Sequence, residues 1–89
     1  MPIDIEFIAY FRLITGEART SLDFEEITIM DAITELGRKY GSKFINELID
    51  RGDLMEDILF LKNGKLTKDP KEKLKTGDVL SFIPPAFGG

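Results

Sequence analysis

The sequence predicts an α+β domain: a mixed sheet of four to five strands, one main amphipathic helix packed on one face, and a short second helix. Three observations carry this expectation. Ile3 to Leu13 alternates with period two. Ile29, Ala32, Ile33, Leu36 and Tyr40 recur at spacings of three and four, the stripe of an amphipathic helix. Downstream, two short apolar runs are punctuated by Asn63-Gly64 and Thr76-Gly77-Asp78, both turn formers.

The elements follow in chain order. Ile3, Ile5, Phe7, Ala9, Phe11 and Leu13 share one parity of a first strand, with Asp4, Glu6 and Arg12 on the other. Ile8 and Tyr10 interrupt the polar parity, so part of that outer side is expected to be covered or to bind something. Gly16 marks a turn, and Thr20 to Ile27 reads as a second strand with Leu22 and Phe24 on one side. Thr28 is placed to cap the helix, with Asp31 three residues on. Gly41 ends it in a left-handed conformation. Gly37, costly inside a helix, implies a close helix–sheet contact. Phe44, Leu48 and Ile49 suggest the second helix, stopping at Gly52. Ile58 to Leu61 reads as a central strand buried on both faces. Leu66 begins a short returning strand, Asp69-Pro70 breaks it, and Val79 to Ile83 is the last strand. The first and last strands are expected side by side in the centre. Phe7, Phe11, Phe24, Leu36 and Phe60 are assigned to the core.

Composition narrows the chemistry. Eighty-nine residues make one domain. With no cysteine and no histidine, disulfides, the usual zinc sites, a thiol nucleophile and the commonest general base are all excluded. No metal is expected, and a reducing, cytoplasmic setting fits. The net charge of −4 argues against a nucleic-acid partner. No apolar run reaches the roughly 20 residues of a membrane-spanning helix, and the start Met1-Pro2-Ile3-Asp4 lacks the basic region of a signal peptide. Charge is uneven: residues 1–61 hold thirteen acids against six bases, and residues 62–89 six lysines against three acids. Lysines spaced through turns read first as solvated surface, and second as a rim meeting an acidic partner.

The most informative segment is the end. Residues 1–83 form the domain, and residues 84–89, Pro84-Pro85-Ala86-Phe87-Gly88-Gly89, form a tail. Consecutive prolines favour an extended, stiff backbone that projects the chain outward. Two glycines without Cβ atoms let the backbone and a terminal carboxylate enter a channel too narrow for side chains. A free carboxylate is a poor electrophile, and its obvious activation is conversion by ATP to an acyl-adenylate.

The residues Phe7-Ile8-Ala9-Tyr10-Phe11-Arg12, Gly16, Leu36-Gly37, Asn63-Gly64, Gly77-Asp78 and the P-P-x-x-G-G ending together resemble the MoaD/ThiS sulfur carriers, ubiquitin-like β-grasp proteins. The likeness is nearest to the branch that forms the small subunit of molybdopterin synthase. Two positions depart from the pattern: Lys62, where an apolar residue is usual, and the bulky Phe87 before the glycines. The resemblance implies that an adenylating enzyme of the ubiquitin-activating type uses ATP on the carboxylate of Gly89. A thiocarboxylate forms there and gives its sulfur to a pterin precursor in the molybdopterin synthase large subunit. It implies that Gly88, Phe87, Pro85 and Pro84 set passage, reach and direction, and that Arg12, Leu66, Phe82 and Ile83 face the partner. In this reading the chain binds no cofactor and is a non-catalytic carrier. The same tail also suits a ubiquitin-like protein modifier, or a sulfur carrier for tRNA thiolation or thiamine.

Overall fold

A computed structural model of the chain describes residues 2–55 and 57–84. The element order is β1 (Ile3–Phe7), α1 (Tyr10–Thr15), β2 (Arg19–Leu22), β3 (Glu26–Thr28), α2 (Ile29–Tyr40), α3 (Ser42–Leu48), β4 (Ile49–Asp50), β5 (Asp53–Leu54), β6 (Leu59–Lys62), β7 (Lys65–Thr67), β8 (Lys73–Lys75) and β9 (Val79–Ile83). The main sheet runs β2-β1-β9-β6-β7. Strands β1 and β9, the first and last, lie parallel at its centre as expected, with Ile5 opposite Leu80 and Phe7 opposite Phe82. All other pairings in the sheet are antiparallel. Two small ladders, β3-β8 and β4-β5, stand apart from it.

Alternation builds the core. Ile3, Ile5 and Phe7 on β1, Leu80 and Phe82 on β9 and Phe60 on β6 turn to the helix side, where α2 buries Ile29, Ala32, Ile33 and Leu36. Phe82 lies at the centre of an aromatic cluster, its ring 5.2–5.9 Å from those of Phe60, Phe7, Phe44 and Phe11. Helix α2 starts as the sequence indicates, the Thr28 hydroxyl accepting from the Asp31 N–H at 3.1 Å. It ends at Gly41, whose φ of 89° disfavours any residue with a Cβ.

Several expectations are corrected. The long first strand stops at Phe7. Ala9 takes a positive φ of 52° and turns the chain into α1, so Arg12 and Leu13 are helical. Phe11 is buried under either reading, because a spacing of four from Phe7 fits strand parity and helix alike; Ile14, three residues further, packs against the core on the helical face. Leu13, assigned to the strand's apolar side, is 79% exposed. The second strand divides: β2 stays with β1, whereas β3 departs to pair with β8. Phe24 lies in the crossing between them and is 39% exposed, not core. The close contact of Gly37 is with α3 and not with the sheet, since a Cβ there would collide with the Ile45 side chain. Helix α3 ends at Leu48, before Gly52, because Ile49 and Asp50 enter a tight hairpin whose turn, Arg51-Gly52, has both φ values positive. Strand β6 is buried on one face only, with Phe60 enclosed and Leu59 and Leu61 half-buried on the other.

The pole from which β1 and β9 start is clamped by side chains. Asn63 sits at φ 52° in its Asn-Gly turn. Its amide Nδ2 donates to Asp78 Oδ1 at 2.9 Å, and its Oδ1 accepts from the Val79 N–H at 2.8 Å. Asp78 Oδ2 also accepts from the Lys75 N–H at 2.8 Å. The Asn63 hydrogen bond, then that of the Lys75 backbone, hold the Asp78 carboxyl below its ordinary value.

Two outcomes follow. Phe82→Ala should cost about 3–5 kcal/mol of stability, the range for removing a core phenylalanine, measured by urea denaturation. For Asp78, the depressed folded-state pKa gives a stabilisation that is complete above the unfolded carboxylate value of about 3.9 and is lost as pH falls through the folded value. Asp78→Asn, less stable than wild type at neutral pH, should therefore show a shallower loss of stability on acidification below about pH 4. Parallel pH–stability curves for the two proteins would contradict the assignment.

Candidate docking site at the root of the tail

The parallel pair decides where the tail begins. Strand β9 ends at Ile83, and Pro84, with no N–H to donate, stops the ladder there. On one side lies the C-terminal end of β1, where Phe7 faces Phe82 and Ile8 comes next. On the other lies the N-terminal end of β6, where Leu59 pairs with Ile83. One step back along the sheet, a row crosses four strands: Glu6 opposite Ser81, Ser81 opposite Leu61, Leu61 opposite Leu66. Directly paired residues share a face, so Ile83, Leu59, Leu61 and Leu66 lie together on the side of the sheet away from the helices. Ile8 continues the parity of Asp4 and Glu6 and joins that side. Leu66 is 61% exposed and Ile8 38%. The result is an apolar band across the outer face, reaching the strand end from which the tail departs.

Polar groups within the band are satisfied locally. Ser81 is nearly buried, and its hydroxyl donates to Glu6 Oε1 at 2.9 Å. Arg19 approaches the same carboxylate at 3.8 Å. Lys62, one of the two departures from the sulfur-carrier pattern, belongs to the other face: it pairs in register with Leu80 and Lys65. There its ammonium meets Glu72 at 3.2 Å, and Glu72 also accepts from the Thr67 hydroxyl at 2.7 Å. These two hydrogen bonds, Thr67 first, keep the Glu72 carboxyl below its ordinary value. The lysine is thus used within the fold and leaves the apolar band unaltered.

The residues expected at the site divide. Leu66 and Ile83 share the outer face, and Leu66 is a surface residue. Arg12 is exposed, but on α1 and not on a strand. Helix α1 stands at the same pole as Ile83, since it follows β1 directly and its Phe11 ring lies 5.9 Å from that of Phe82. Phe82 is corrected: with no exposed surface it belongs to the core and supports Ile83 from behind. Pro84 is the last residue described; Pro85, Phe87, Gly88 and Gly89 lie outside the described residues. Leu59 and Leu61 join the site without any signal in the sequence, whereas Ile8 is on the outer side expected to be covered or to bind something. The signal for Ile8 was its break of the polar parity in β1. Among the described residues, no group of acids could hold a metal ion and no helix is long and apolar enough to cross a membrane.

Comparison with known proteins bears on this geometry. The ThiS family matches residues 5–89, nearly the whole chain. The chain belongs to the ThiS family. The curated proteins include no significant match to it. Among solved structures, SAMP1 from Haloferax volcanii is similar over 100% of both chains, with 24% identity and a TM-score of 0.84. A Pyrococcus furiosus protein assigned as molybdopterin converting factor, subunit 1, is 27% identical with a TM-score of 0.76, covering 97% of this chain and 99% of that one. The Amycolatopsis orientalis BexX/CysO complex matches with 19% identity and a TM-score of 0.80, covering 98% of this chain and 99% of the matched chain. This ThiS-family chain therefore has the ubiquitin-like β-grasp fold of the sulfur carriers: a mixed five-stranded sheet with a helix packed on it. Carriers of this type are generally non-catalytic.

An exposed position on the outer face of the sheet should be separable from the core by stability alone. Leu66→Ala should change the unfolding free energy by no more than about 0.5 kcal/mol. A loss of several kcal/mol in a denaturation curve would show Leu66 to be structural.

Proposed function

We propose that this chain is a sulfur carrier whose reacting group is the C-terminal carboxylate of Gly89, and that it serves as the small subunit of a molybdopterin synthase. The observation that carries the reading is the ThiS-family match through residue 89, which includes Gly88-Gly89. The apolar band at the root of the tail supports it, because it offers a partner a place to hold while the tail is engaged. The similarity to the Pyrococcus protein assigned as a molybdopterin converting factor subunit supports the molybdopterin branch, as the similarity to SAMP1 supports the second reading below.

The chemistry belongs to the terminal acyl group. In an adenylating enzyme, a carboxylate oxygen of Gly89 attacks the α-phosphorus of ATP. The bond to the β-phosphate oxygen breaks and pyrophosphate leaves. A sulfur nucleophile such as hydrosulfide then adds to the acyl carbon of the adenylate. AMP leaves, the sulfur proton is lost, and a thiocarboxylate remains. In the large subunit of the synthase that sulfur passes to a pterin precursor. The carrier's share is reach and passage: Pro84 and Pro85 stiffen the exit, and Gly88 and Gly89 add no side-chain bulk. ATP is consumed by the activating enzyme, and no cofactor is held by the carrier.

A second reading keeps the activation and changes the acceptor. The likeness to SAMP1, a small archaeal modifier protein, fits a modifier that forms an isopeptide bond with a lysine. Deleting Gly89 should abolish activation under both readings, measured as ATP-dependent release of pyrophosphate by the adenylating enzyme. Sulfurated carrier mixed with a molybdopterin synthase large subunit should convert the pterin precursor to its dithiolene. Failure of that conversion together with covalent lysine adducts would replace the synthase reading by the modifier. Undiminished pyrophosphate release from the Gly89-deleted chain would overturn both.

A further inference from the structure

We propose that Asn63-Gly64 is a site of spontaneous deamidation, and that the fold guards it by holding the Asn63 side chain against Asp78 and Val79. The reaction is a cyclisation to which asparagine followed by glycine is prone. The Gly64 nitrogen attacks Asn63 Cγ, its proton passes to a solvent base, and the Cγ–Nδ2 bond breaks as ammonia leaves. Water then opens the cyclic imide at either carbonyl, giving aspartate or isoaspartate. No oxidant or cofactor takes part. Gly64 has no Cβ to hinder its nitrogen, and both residues are exposed.

The native geometry opposes the attack. Asn63 and Gly64 have φ values of 52° and 84°, the positive pair of a type I′ turn, closed by Lys62 and Lys65. In such a turn the Gly64 nitrogen and the Asn63 Cβ lie on opposite sides of the Cα–C bond, whereas ring closure needs them on the same side. The turn must therefore open before the ring can form. The side chain is also tied at both ends of its amide: Nδ2 donates to Asp78 Oδ1 at 2.9 Å, and Oδ1 accepts from the Val79 N–H at 2.8 Å. The Asn63 backbone N–H donates to the Val79 carbonyl at 2.8 Å. Freeing Asn63 gives up all of these hydrogen bonds, one of them to a charged acceptor. Conversion is also self-perpetuating. An aspartate at this position has no N–H to give and sets a second negative charge beside Asp78, so the clamp does not re-form.

The test follows conversion at Asn63 by peptide mass spectrometry, on the full chain kept in mildly alkaline buffer. The chain's other asparagine, Asn46, stands before Glu47 in α3 and is the internal control. In folded wild type, Asn63 should convert about tenfold or more slowly than in the same chain unfolded by urea. Asp78→Ala, shown to be folded by circular dichroism, should convert at Asn63 several-fold faster than folded wild type. Equal rates in folded and unfolded wild type would overturn the guard, whether or not the variant folds. Equal rates in wild type and folded Asp78→Ala would overturn the part given to Asp78. An unfolded chain that converts Asn46 sooner than Asn63 would overturn the site itself.

Discussion

The parallel pairing of β1 with β9 is the constraint on which the rest of the structure depends. It joins the first strand to the last, with Phe7 opposite Phe82. Because the two strands run the same way, their C-terminal ends lie at one pole. The chain therefore leaves the sheet for the tail beside the point where β1 turns into α1. Ile8, which follows β1, and Ile83, which ends β9, come to that pole for this reason, although 75 residues separate them in sequence. Behind them the Phe82 ring, wedged among four other phenylalanines, fixes the end of β9 against the helices.

The two poles of the sheet have different jobs. At the starting pole, Asn63 and Asp78 lock two turns together with side-chain hydrogen bonds. That pole also collects several lysines, of which Lys62 and Lys73 are engaged by Glu72 and Glu26. Toward the exit pole the outer face carries Leu59, Leu61, Leu66 and Ile83, with exposed Arg12 on the neighbouring α1, and the nearly buried hydroxyl of Ser81 is satisfied by Glu6. Exposed apolar area is a physical argument for a partner, and on the outer face it runs from Leu66 through Leu61 and Leu59 to Ile83. The lysine-rich segment is better explained as partly paired surface than as a separate binding rim.

Much of this was legible in the sequence, and the misses have local causes. The helix α2, its Thr28 cap, the Asn-Gly turn and the central position of the first and last strands follow from periodicity and turn chemistry alone. Phe7 and Phe11 misled, because a spacing of four satisfies strand and helix at once, and only the positive φ at Ala9 separates the two. Phe24 looked like a core residue by alternation, but β3 leaves the main sheet for β8, and no local pattern announces that departure. Phe82 was grouped with Ile83 at the docking face although adjacent strand residues point oppositely. Strict parity would have placed it in the core and brought Ile8 to the face in its stead. The chemistry proposed for the tail rests on residue types alone, since Gly88 and Gly89 carry no functional side chain and residues 85–89 lie outside the described residues.

The central claim is that bond-making occurs at the terminal acyl group of Gly89, presented by the end of β9. Tandem mass spectrometry of the intact chain, after incubation with the adenylating enzyme, ATP and sulfide, addresses it at the atom concerned. One oxygen replaced by sulfur, located on the Gly89 fragment and absent without ATP, is the expected result. Sulfur found on no fragment, or on a side chain elsewhere, would contradict the claim.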